Sequence, residues 1–323
     1  MRAVVQASAG GVDTLCLDEI EKPIPQDGQL LVRVRAVGVN RADIVQREGY
    51  YPAPPGASPI LGLEIAGEVE EVRGASRFKP GDAVMGLLSG GGYAEYAVLE
   101  SQLAIPKPKF LDWAQAASLP EAWMTAWFNL VELGHLVEGQ TALIHAGASG
   151  VGAAAIQLAR LLGVRAFASV GSVDKMEFCR QLGAEQVYNW RELSAFSPIV
   201  RQWGGADLIL DPVGGPYLAE NIASLNAEGV LICIGVMGGA QSALNLAHVL
   251  MKRLTVRGST LRTQPLDVKG RLARAIEEHI LPAIDAGVLK LTIDSVFALE
   301  DVREAHQYME SNRNLGKIVM GII

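Results

Sequence analysis

A glycine-rich segment near the middle of the chain has the residue types and the spacing that bind a dinucleotide. It reads His145-Ala146-Gly147-Ala148-Ser149-Gly150-Val151-Gly152, between an apolar run typical of a strand and a segment typical of a helix. The backbone N–H groups of such a turn and the positive end of the following helix attract a pyrophosphate. Ser149 occupies the middle glycine position of the strict G-x-G-x-x-G pattern, so a tightly packed turn without a ligand is the alternative. The strand–turn–helix–strand context favours a cofactor site at residues 147–152.

The residues after the next expected strand indicate which dinucleotide binds. An NAD site usually has an acidic residue about 20 positions after the glycine turn, which bonds the ribose 2′-hydroxyl. Here Gly171 stands near that position, and Ser172 and Lys175 follow it as ligands for a 2′-phosphate. Asp174 could bond a ribose instead, but it fits the first turn of a helix, where a negative charge is favourable. We therefore predict NADP(H) as the cofactor.

The composition excludes several other classes of function. The 323 residues carry a net charge of −7, whereas a nucleic-acid-binding protein normally has a basic surplus, so we expect no nucleic-acid partner. Cys16, Cys179 and Cys233 are too scattered for a disulfide framework, which points to a reducing compartment. The uncharged stretches 139–159 and 229–251 contain glycines and polar residues rather than about 20 continuous apolar helical residues. We expect a cytoplasmic protein of two domains with no membrane segment.

Two different patterns of apolar segments must position these residues. Up to about residue 115, short apolar runs predict strands at 1–6, 30–37, 65–72, 83–88 and 93–99, as in a small barrel or sandwich. From about residue 113, helical patterns alternate with buried strands, which is typical of a parallel, doubly wound α/β sheet. The expected helices there are 114–133 with a break at Pro120, 151–162 and 174–182, and the expected strands are 141–146, 165–170, 207–211, 230–235 and 254–259. The tail combines helices at 267–286 and 299–311 with strands at 288–297 and 317–322, and we expect it to pack on the first part.

Several motifs along the whole chain resemble the medium-chain dehydrogenase/reductase superfamily. The general ones are Asn40-Arg41-Ala42-Asp43, Gly62-Leu63-Glu64-Ile65-Ala66-Gly67, the glycine turn and Gly316-Lys317-Ile318-Val319. Within the superfamily the chain is similar to the zinc-free quinone oxidoreductases, and most of all to the branch of the p53-inducible quinone oxidoreductase. The marks of that branch are Pro54-Pro55-Gly56-Ala57-Ser58, Leu119-Pro120-Glu121-Ala122-Trp123-Met124-Thr125-Ala126, Asp211-Pro212-Val213-Gly214-Gly215 and Gly235-Val236-Met237-Gly238-Gly239.

The resemblance implies an architecture and an activity. A GroES-like, β-barrel-type catalytic domain would comprise residues 1–115 and 265–323, with a Rossmann NADP-binding domain of residues 116–264 inserted in it and the cofactor in the cleft between them. The implied activity is the NADPH-dependent reduction of a quinone or another small electrophilic acceptor. The implied assembly is a homodimer, with a strand near residues 256–261 in an intersubunit sheet.

The residues themselves also argue against a metal site. A catalytic zinc needs about three ligands, and zinc-dependent relatives have a cysteine and a histidine where Asn40 and Leu63 stand. The five histidines are dispersed along the chain, so we expect no metal. Without zinc or an obvious acid–base pair, the enzyme would act through proximity, orientation and the electrostatics around the cofactor.

The resemblance assigns roles to further residues. The catalytic candidates are Tyr51, Asn40, Asp43 and Thr125. Tyr51 could bond the acceptor or the cofactor, whereas Asn40 and Asp43 could bond the substrate or brace the cleft. The additional cofactor candidates are Gly235, Met237 and Gly238 at the nicotinamide ribose, Asn314 and Lys317 over the cofactor or on the surface, and Trp190. Relatives often have a tyrosine near the position of Trp190, and that tyrosine binds the 2′-phosphate. In this chain the contact is either altered or supplied by Arg191.

Two other functions remain open from the sequence. An NADPH-dependent enone or alkenal reductase would use the same scaffold and would need a proton donor at the α-carbon, for which Tyr51 or water are the candidates. A non-enzymatic NADPH-binding protein would bind the cofactor and turn over no acceptor.

Overall fold

The computed structural model describes residues 1–322, which divide into two compact units. The first, here called the split unit, comprises Met1–Met124 and the segment from Arg262 to the end of the described residues. The second, the inserted unit, is Thr125–Leu261 and interrupts the split unit in the sequence. Within residues 1–322, no helix has both the length and the apolar character needed to cross a membrane.

The strands and helices are numbered in chain order. The strands are β1 (Arg2–Gln6), β2 (Leu15–Glu19), β3 (Gln29–Val39), β4 (Glu64–Val72), β5 (Ala83–Leu87), β6 (Tyr96–Glu100), β7 (Ala104–Pro106), β8 (Thr141–Ile144), β9 (Arg165–Val170), β10 (Gln186–Asn189), β11 (Ala206–Asp211), β12 (Leu225–Cys233), β13 (Thr255–Gly258), β14 (Ile293–Ala298) and β15 (Lys317–Gly321). The helices are α1 (Arg41–Arg47), α2 (Trp113–Ala117), α3 (Pro120–Trp127), α4 (Gly150–Leu161), α5 (Val173–Leu182), α6 (Ser197–Gln202), α7 (Leu218–Ser224), α8 (Leu246–Lys252), α9 (Leu266–Ala275), α10 (Leu281–Asp285) and α11 (Val302–Glu310).

The split unit is organised around the long strand β3. One edge of β3 pairs with β4, while the other edge pairs with β6 over Gln29–Arg33 and with β15 over Ala36–Val39. The resulting sheet has the order β14-β15-β3-β4-β5-β7, and of its pairs only β14 with β15 is parallel. Register shifts in the β3–β4 pair bend the sheet, as bulges do in barrels. Buried side chains of β3, β4 and α11 fill the core that this curved sheet encloses.

The inserted unit contains one parallel sheet of six strands with the order β10-β9-β8-β11-β12-β13. Its central strand β8 is buried throughout, as expected for a parallel sheet covered by helices on both faces. The chain runs from β8 outward through β9 to β10, and then returns to the other side of β8 at β11. Open α/β sheets bind their ligands at the carboxyl ends of the strands beside such a reversal.

The structure confirms the expected fold class and most of the expected elements. Helix α3 begins at Pro120, the position of the expected break. Strand β12 begins at Leu225 rather than near residue 230, because Leu225 already pairs with Ala206 of β11 and residues 226–229 lie in the register shift before the next pair, Leu208 with Val230. The sequence analysis did not predict several elements that are short or largely polar, namely β2, β7, β10, α1, α6 and α7.

Candidate functional site

The cofactor candidates of the inserted unit gather at one edge of its sheet. The glycine turn follows β8, Gly171 and Ser172 follow β9, Trp190 follows β10, and residues 235–238 lie just beyond β12. Because all six strands are parallel, their carboxyl ends share this edge. The structure therefore brings these predicted residues together where a nucleotide would bind.

The glycine turn has no space for larger side chains. A Cβ on Gly147 would lie 2.9 Å from the Cβ of Ala168, and a Cβ on Gly152 would lie 2.4 Å from the carbonyl oxygen of Ala146. Ser149 begins α4, and its Oγ accepts a hydrogen bond of 3.0 Å from the N–H of Gly152. The remaining free N–H groups at the start of this helix suit an anion.

A second group of residues lies at the ends of β9 and β10. A Cβ on Gly171 would lie 3.0 Å from Nε1 of Trp190, so the small residue and the indole are direct neighbours. The guanidinium of Arg191 stacks on the Trp190 ring, 5.2 Å from its centroid. Ser172 occupies the N-cap position of α5 without a capping hydrogen bond from its side chain, and Lys175 lies in the first turn of that helix. Cationic and hydroxyl groups thus surround Gly171, as a phosphate site requires.

The loop after β12 presents Met237 to solvent. Its side chain is 51% exposed, which excludes the usual role of a methionine as core filler. The N–H groups of Met237 and Gly238 donate to the carbonyls of Pro212 and Val213 at 3.1 and 2.8 Å. A Cβ on Gly235 would lie 2.9 Å from the Pro212 carbonyl oxygen. Close backbone contact with the loop after β11 therefore holds this candidate ribose-binding loop.

A buried polar chain beneath the glycine turn was not predicted from the sequence. The imidazole of His145 lies 2.8 Å from Oγ of Ser169 and 2.7 Å from Oδ1 of Asn221. The Asn221 amide donates to Asp211, which also accepts the N–H of Val213 at 2.7 Å. Burial lowers the pKa of His145, so the ring is neutral and links the ends of β8, β9 and β11 through hydrogen bonds.

In the split unit, Asn40 and Lys317 meet at the buried carboxylate of Glu64. Oε1 of Glu64 accepts from the Asn40 amide at 2.9 Å and from the Lys317 ammonium, which also donates to Oδ1 of Asn40 at 2.6 Å. Glu64 is 0% and Lys317 5% exposed. The surface alternative for Lys317 is therefore wrong, because its strand β15 pairs on both edges inside the sheet. Contact of Lys317 with the cofactor stays a prediction.

Asp43 is fully buried and already has its hydrogen bonds. Its carboxylate accepts from the N–H of Asn40 at 2.8 Å, the N–H of Gly62 at 3.1 Å and the phenol of Tyr93 at 3.1 Å. Burial raises the pKa of Asp43 to about 6, and these hydrogen bonds oppose the shift. The carboxylate thus braces the start of α1 against the loop before β4.

The Asp43 interaction continues into a polar chain towards the surface. The Tyr93 hydroxyl lies 3.1 Å from Nε2 of His306, and Nδ1 of the same ring lies 3.3 Å from Nη1 of Arg47. Arg47 then forms an ion pair of 2.7 Å with Glu310. Burial, with the charge of Arg47, lowers the pKa of His306 to about 3, so this imidazole is neutral.

Tyr51 packs against Arg262, a residue for which the sequence suggested no role. The guanidinium carbon lies 5.3 Å from the centroid of the Tyr51 ring, and Nη1 donates to the Tyr51 carbonyl at 3.3 Å. Two further bonds go from Arg262 to the carbonyl of Ser89. Burial raises the pKa of Tyr51, so its hydroxyl stays protonated. Glu121 lies nearby in the same unit and adds to that shift.

Two remaining candidates have local partners only. Thr125 is buried in the inserted unit, and its carbonyl accepts from the Asn129 amide at 2.7 Å within one helical turn. Asn314 donates to the Gly316 carbonyl at 2.8 Å, which shapes the turn before β15. Across residues 1–322 there is no group of three histidine, cysteine, aspartate or glutamate side chains arranged to hold a metal ion.

Sequence reasoning missed Glu64, Glu121 and Arg262 as site residues. Glu64 and Glu121 stood inside quoted motifs without a role, and Arg262 stood in none. One signal was available, because Glu64 stands between the apolar residues Leu63 and Ile65, directly before the strand expected at 65–72. A charge in such a place needs a partner.

Comparison with known proteins covers both units. Residues 26–109 match the alcohol dehydrogenase GroES-like domain, and residues 150–278 match the family described as zinc-binding dehydrogenase. The chain is 32% identical to the quinone oxidoreductase of Pongo abelii, over 99% of this chain and 97% of that protein. A solved NAD-dependent alcohol dehydrogenase is 31% identical with a TM-score of 0.89, over 100% of both chains. The Escherichia coli quinone oxidoreductase complexed with NADPH is 25% identical with a TM-score of 0.90, over 99% of this chain and 100% of that one.

Proposed function

Because the chain belongs to the quinone oxidoreductase family of medium-chain dehydrogenases/reductases, we propose that it is an NADPH-dependent reductase of quinones. Two neighbouring features carry the proposal. The glycine turn leads into the first turn of α4, and at the end of β9 Gly171 lies among polar and cationic groups. The split unit is the GroES-like domain of this family, and the inserted unit is its Rossmann domain. Assignment to the p53-inducible branch stays a prediction.

The inserted unit holds the dinucleotide. Residues 147–152 bind the pyrophosphate, and residues 235–238 pass under the nicotinamide ribose. Ser172, Lys175 and Arg191 bind the 2′-phosphate, with the Trp190 ring as the stacking surface for Arg191. When bound, the reduced dinucleotide supplies a hydride. An NAD site would have an acidic residue where Gly171 stands, so we infer NADP(H) although one structural neighbour is NAD-dependent.

Tyr51 is the residue that orients the acceptor. Its protonated hydroxyl donates a hydrogen bond to an acceptor oxygen, while Arg262 fixes its ring and its backbone. Asn40 and Asp43 act as positioning residues, because their polar atoms are already bonded within the split unit. Thr125, Asn314 and Lys317 remain cofactor-side candidates. Most of the rate enhancement then comes from proximity and orientation.

We further propose that the reaction uses no zinc. Where zinc-dependent relatives have a cysteine and a histidine, this chain has an amide, Asn40, and an apolar side chain, Leu63. The nearby Glu64 carboxylate is paired with the Lys317 ammonium, which occupies the place that a cation would take beside it. Metal analysis of the purified active enzyme should find far less than one zinc per chain, and a stoichiometric content would contradict this.

The acceptor and the cofactor are tested together. NADPH and NADH oxidation is followed with an ortho-quinone, a para-quinone and an alkenal as acceptors. We expect turnover of a quinone with NADPH as the preferred donor. Turnover of the alkenal alone would identify a double-bond reductase, and a preference for NADH would contradict the phosphate site. Tight NADPH binding without turnover of any acceptor would indicate a non-enzymatic binding protein.

A homodimer through the inserted unit completes the proposal. Strand β13 is an exposed edge of the parallel sheet, and the neighbouring α8 exposes Leu246, Leu250 and Met251 by 69 to 75%. An unpaired sheet edge beside exposed apolar side chains is a typical interface.

A further inference from the structure

Glu121 has an unusual environment for a carboxyl group. It is the second residue of α3, is partly buried, and its N–H donates to Oε2 of Glu64 at 2.8 Å. Its own carboxyl oxygens accept no hydrogen bond from any residue between 1 and 322, whereas Glu64 and Asp43 are fully bonded. Ionising a partly buried carboxyl that has no hydrogen-bond partner costs free energy. Such a group therefore either keeps its proton or binds a ligand.

The charges around Glu121 favour the protonated form. Glu64 and Asp43 are negative neighbours, and the Lys317 ammonium is bonded to Glu64. The nearby Arg262 donates its hydrogen bonds to the carbonyls of Ser89 and Tyr51 rather than to Glu121. Burial, together with the charge of Glu64, raises the pKa of Glu121 to about 8, and the charges of Lys317 and Arg262 oppose this shift. At neutral pH the group is therefore mainly a carboxylic acid, and it lies close enough to Tyr51 to interact with it electrostatically.

We propose that Glu121 is the proton donor to the acceptor, an assignment that rests on the proposed quinone reduction. The acceptor gains a hydride from the reduced dinucleotide, which is thereby oxidised, and negative charge develops on an acceptor oxygen. The O–H bond of the Glu121 carboxyl breaks, and a new O–H bond forms on that oxygen. Water then returns one proton to Glu121, so that hydride plus proton complete the hydroquinone.

Tyr51 serves this step as an orienting group rather than as the acid. Its pKa is raised above the ordinary phenol value by burial, which makes it a weak acid at neutral pH. General acid catalysis works best when the pKa of the donor lies near the working pH, and Glu121 meets this condition. The preferred substrate class is accordingly a conjugated dicarbonyl compound whose reduced oxygen needs one proton.

The pH dependence of turnover tests the proposal. In the wild type, kcat with a quinone should fall as the pH rises through about 8, because the acid form of Glu121 is lost. In E121Q, kcat at pH 7 should fall about 100-fold, the lower end of the usual effect of a general acid, and the alkaline decrease should disappear. E121D should keep a decrease with pH. E304Q, which changes an exposed glutamate of the same unit, controls for the loss of one charge.

A second measurement does not depend on activity. Since the folded-state pKa of Glu121 is raised, its stabilising effect is lost as the pH rises towards 8, so the Tm of E121Q relative to wild type should increase between pH 5 and 9. Parallel Tm curves, or E121Q turnover with the wild-type pH profile, would overturn the assignment while quinone reduction stands. Absence of quinone turnover by the wild type would overturn the proposed function and this inference with it.

Discussion

Lys175 is the side chain on which the selectivity for NADPH can be tested most directly. It lies in the first turn of α5, near Gly171 at the end of β9. A hydrogen bond between charged groups contributes about 1.5–3 kcal/mol. We therefore expect Lys175→Ala to weaken NADPH binding roughly tenfold or more, measured by fluorescence titration, and to leave NADH binding nearly unchanged.

The control for this variant lies on the same helix. Arg180→Ala removes a positive charge from an exposed position in the last turn of α5, away from Gly171. It should leave the affinity for NADPH within about twofold of the wild type, since an exposed charge that makes no direct contact is weakened by solvent and salt. Equal losses in both variants would point to a general charge effect instead of a phosphate ligand.

Single residues differ in how far their roles follow from the sequence. Gly152 was predictable, because its neighbours Ala146 and Gly147 lie in the same turn, and Gly147 was predictable from the glycine pattern, although its own neighbour Ala168 lies on β9. Glu64, by contrast, meets Lys317 253 positions further along the chain, and Glu121 meets Glu64 57 positions away. Such pairings depend on how elements far apart in the sequence pack together, which no local pattern specifies. The polar chain from His145 to Asp211 was missed for the same reason.

Long apolar strands were predictable as elements, but short edge strands were not. The central strands β3, β8 and β9 are mostly buried, so each leaves a clear apolar run in the sequence. Strand β2 is exposed at four of its five positions and holds its conformation through its pairing with β1. Tertiary pairing therefore determines whether such a segment forms a strand, and β-propensity alone does not predict it.

The exposed edge of β13 leads to a prediction about assembly. Val256 on this strand is 43% exposed, and Leu250 on α8 is 75% exposed. Val256→Asp together with Leu250→Glu should convert a dimer into a monomer in light scattering at micromolar concentration, because charges would be buried at the contact. Ile24→Glu, which changes an 80% exposed residue of the split unit, should remain dimeric. A monomeric wild type, or an unaffected double variant, would contradict the proposed interface.

The stability of the split unit should depend on pH through two groups, Asp43 and His306, whose contributions change with pH in opposite directions. Asp43 and His306 both lie 3.1 Å from the Tyr93 hydroxyl. The folded-state pKa of Asp43 is raised by burial to about 6, so its stabilising effect is full below pH 4 and is lost as the pH rises through 6. The folded-state pKa of His306 is lowered by burial to about 3, so its effect is full above pH 6.5 and is lost as the pH falls through 3.

His306 can be separated from Asp43 by substitution. His306→Gln should be less stable than the wild type at pH 7.5, because Tyr93 and Arg47 lose their shared imidazole. Below pH 6 the histidine of the unfolded wild type binds a proton, whereas the buried histidine of the folded wild type stays neutral. The wild type therefore loses stability that the variant keeps, and the difference in unfolding free energy between them should shrink by about 1.4 kcal/mol per pH unit. Denaturant unfolding between pH 4 and 7.5 measures this, with His279→Gln at an exposed position of the same unit as the control. A difference that stays constant with pH would contradict the lowered pKa, because it would mean that the imidazole is protonated as readily in the folded protein as in the unfolded chain.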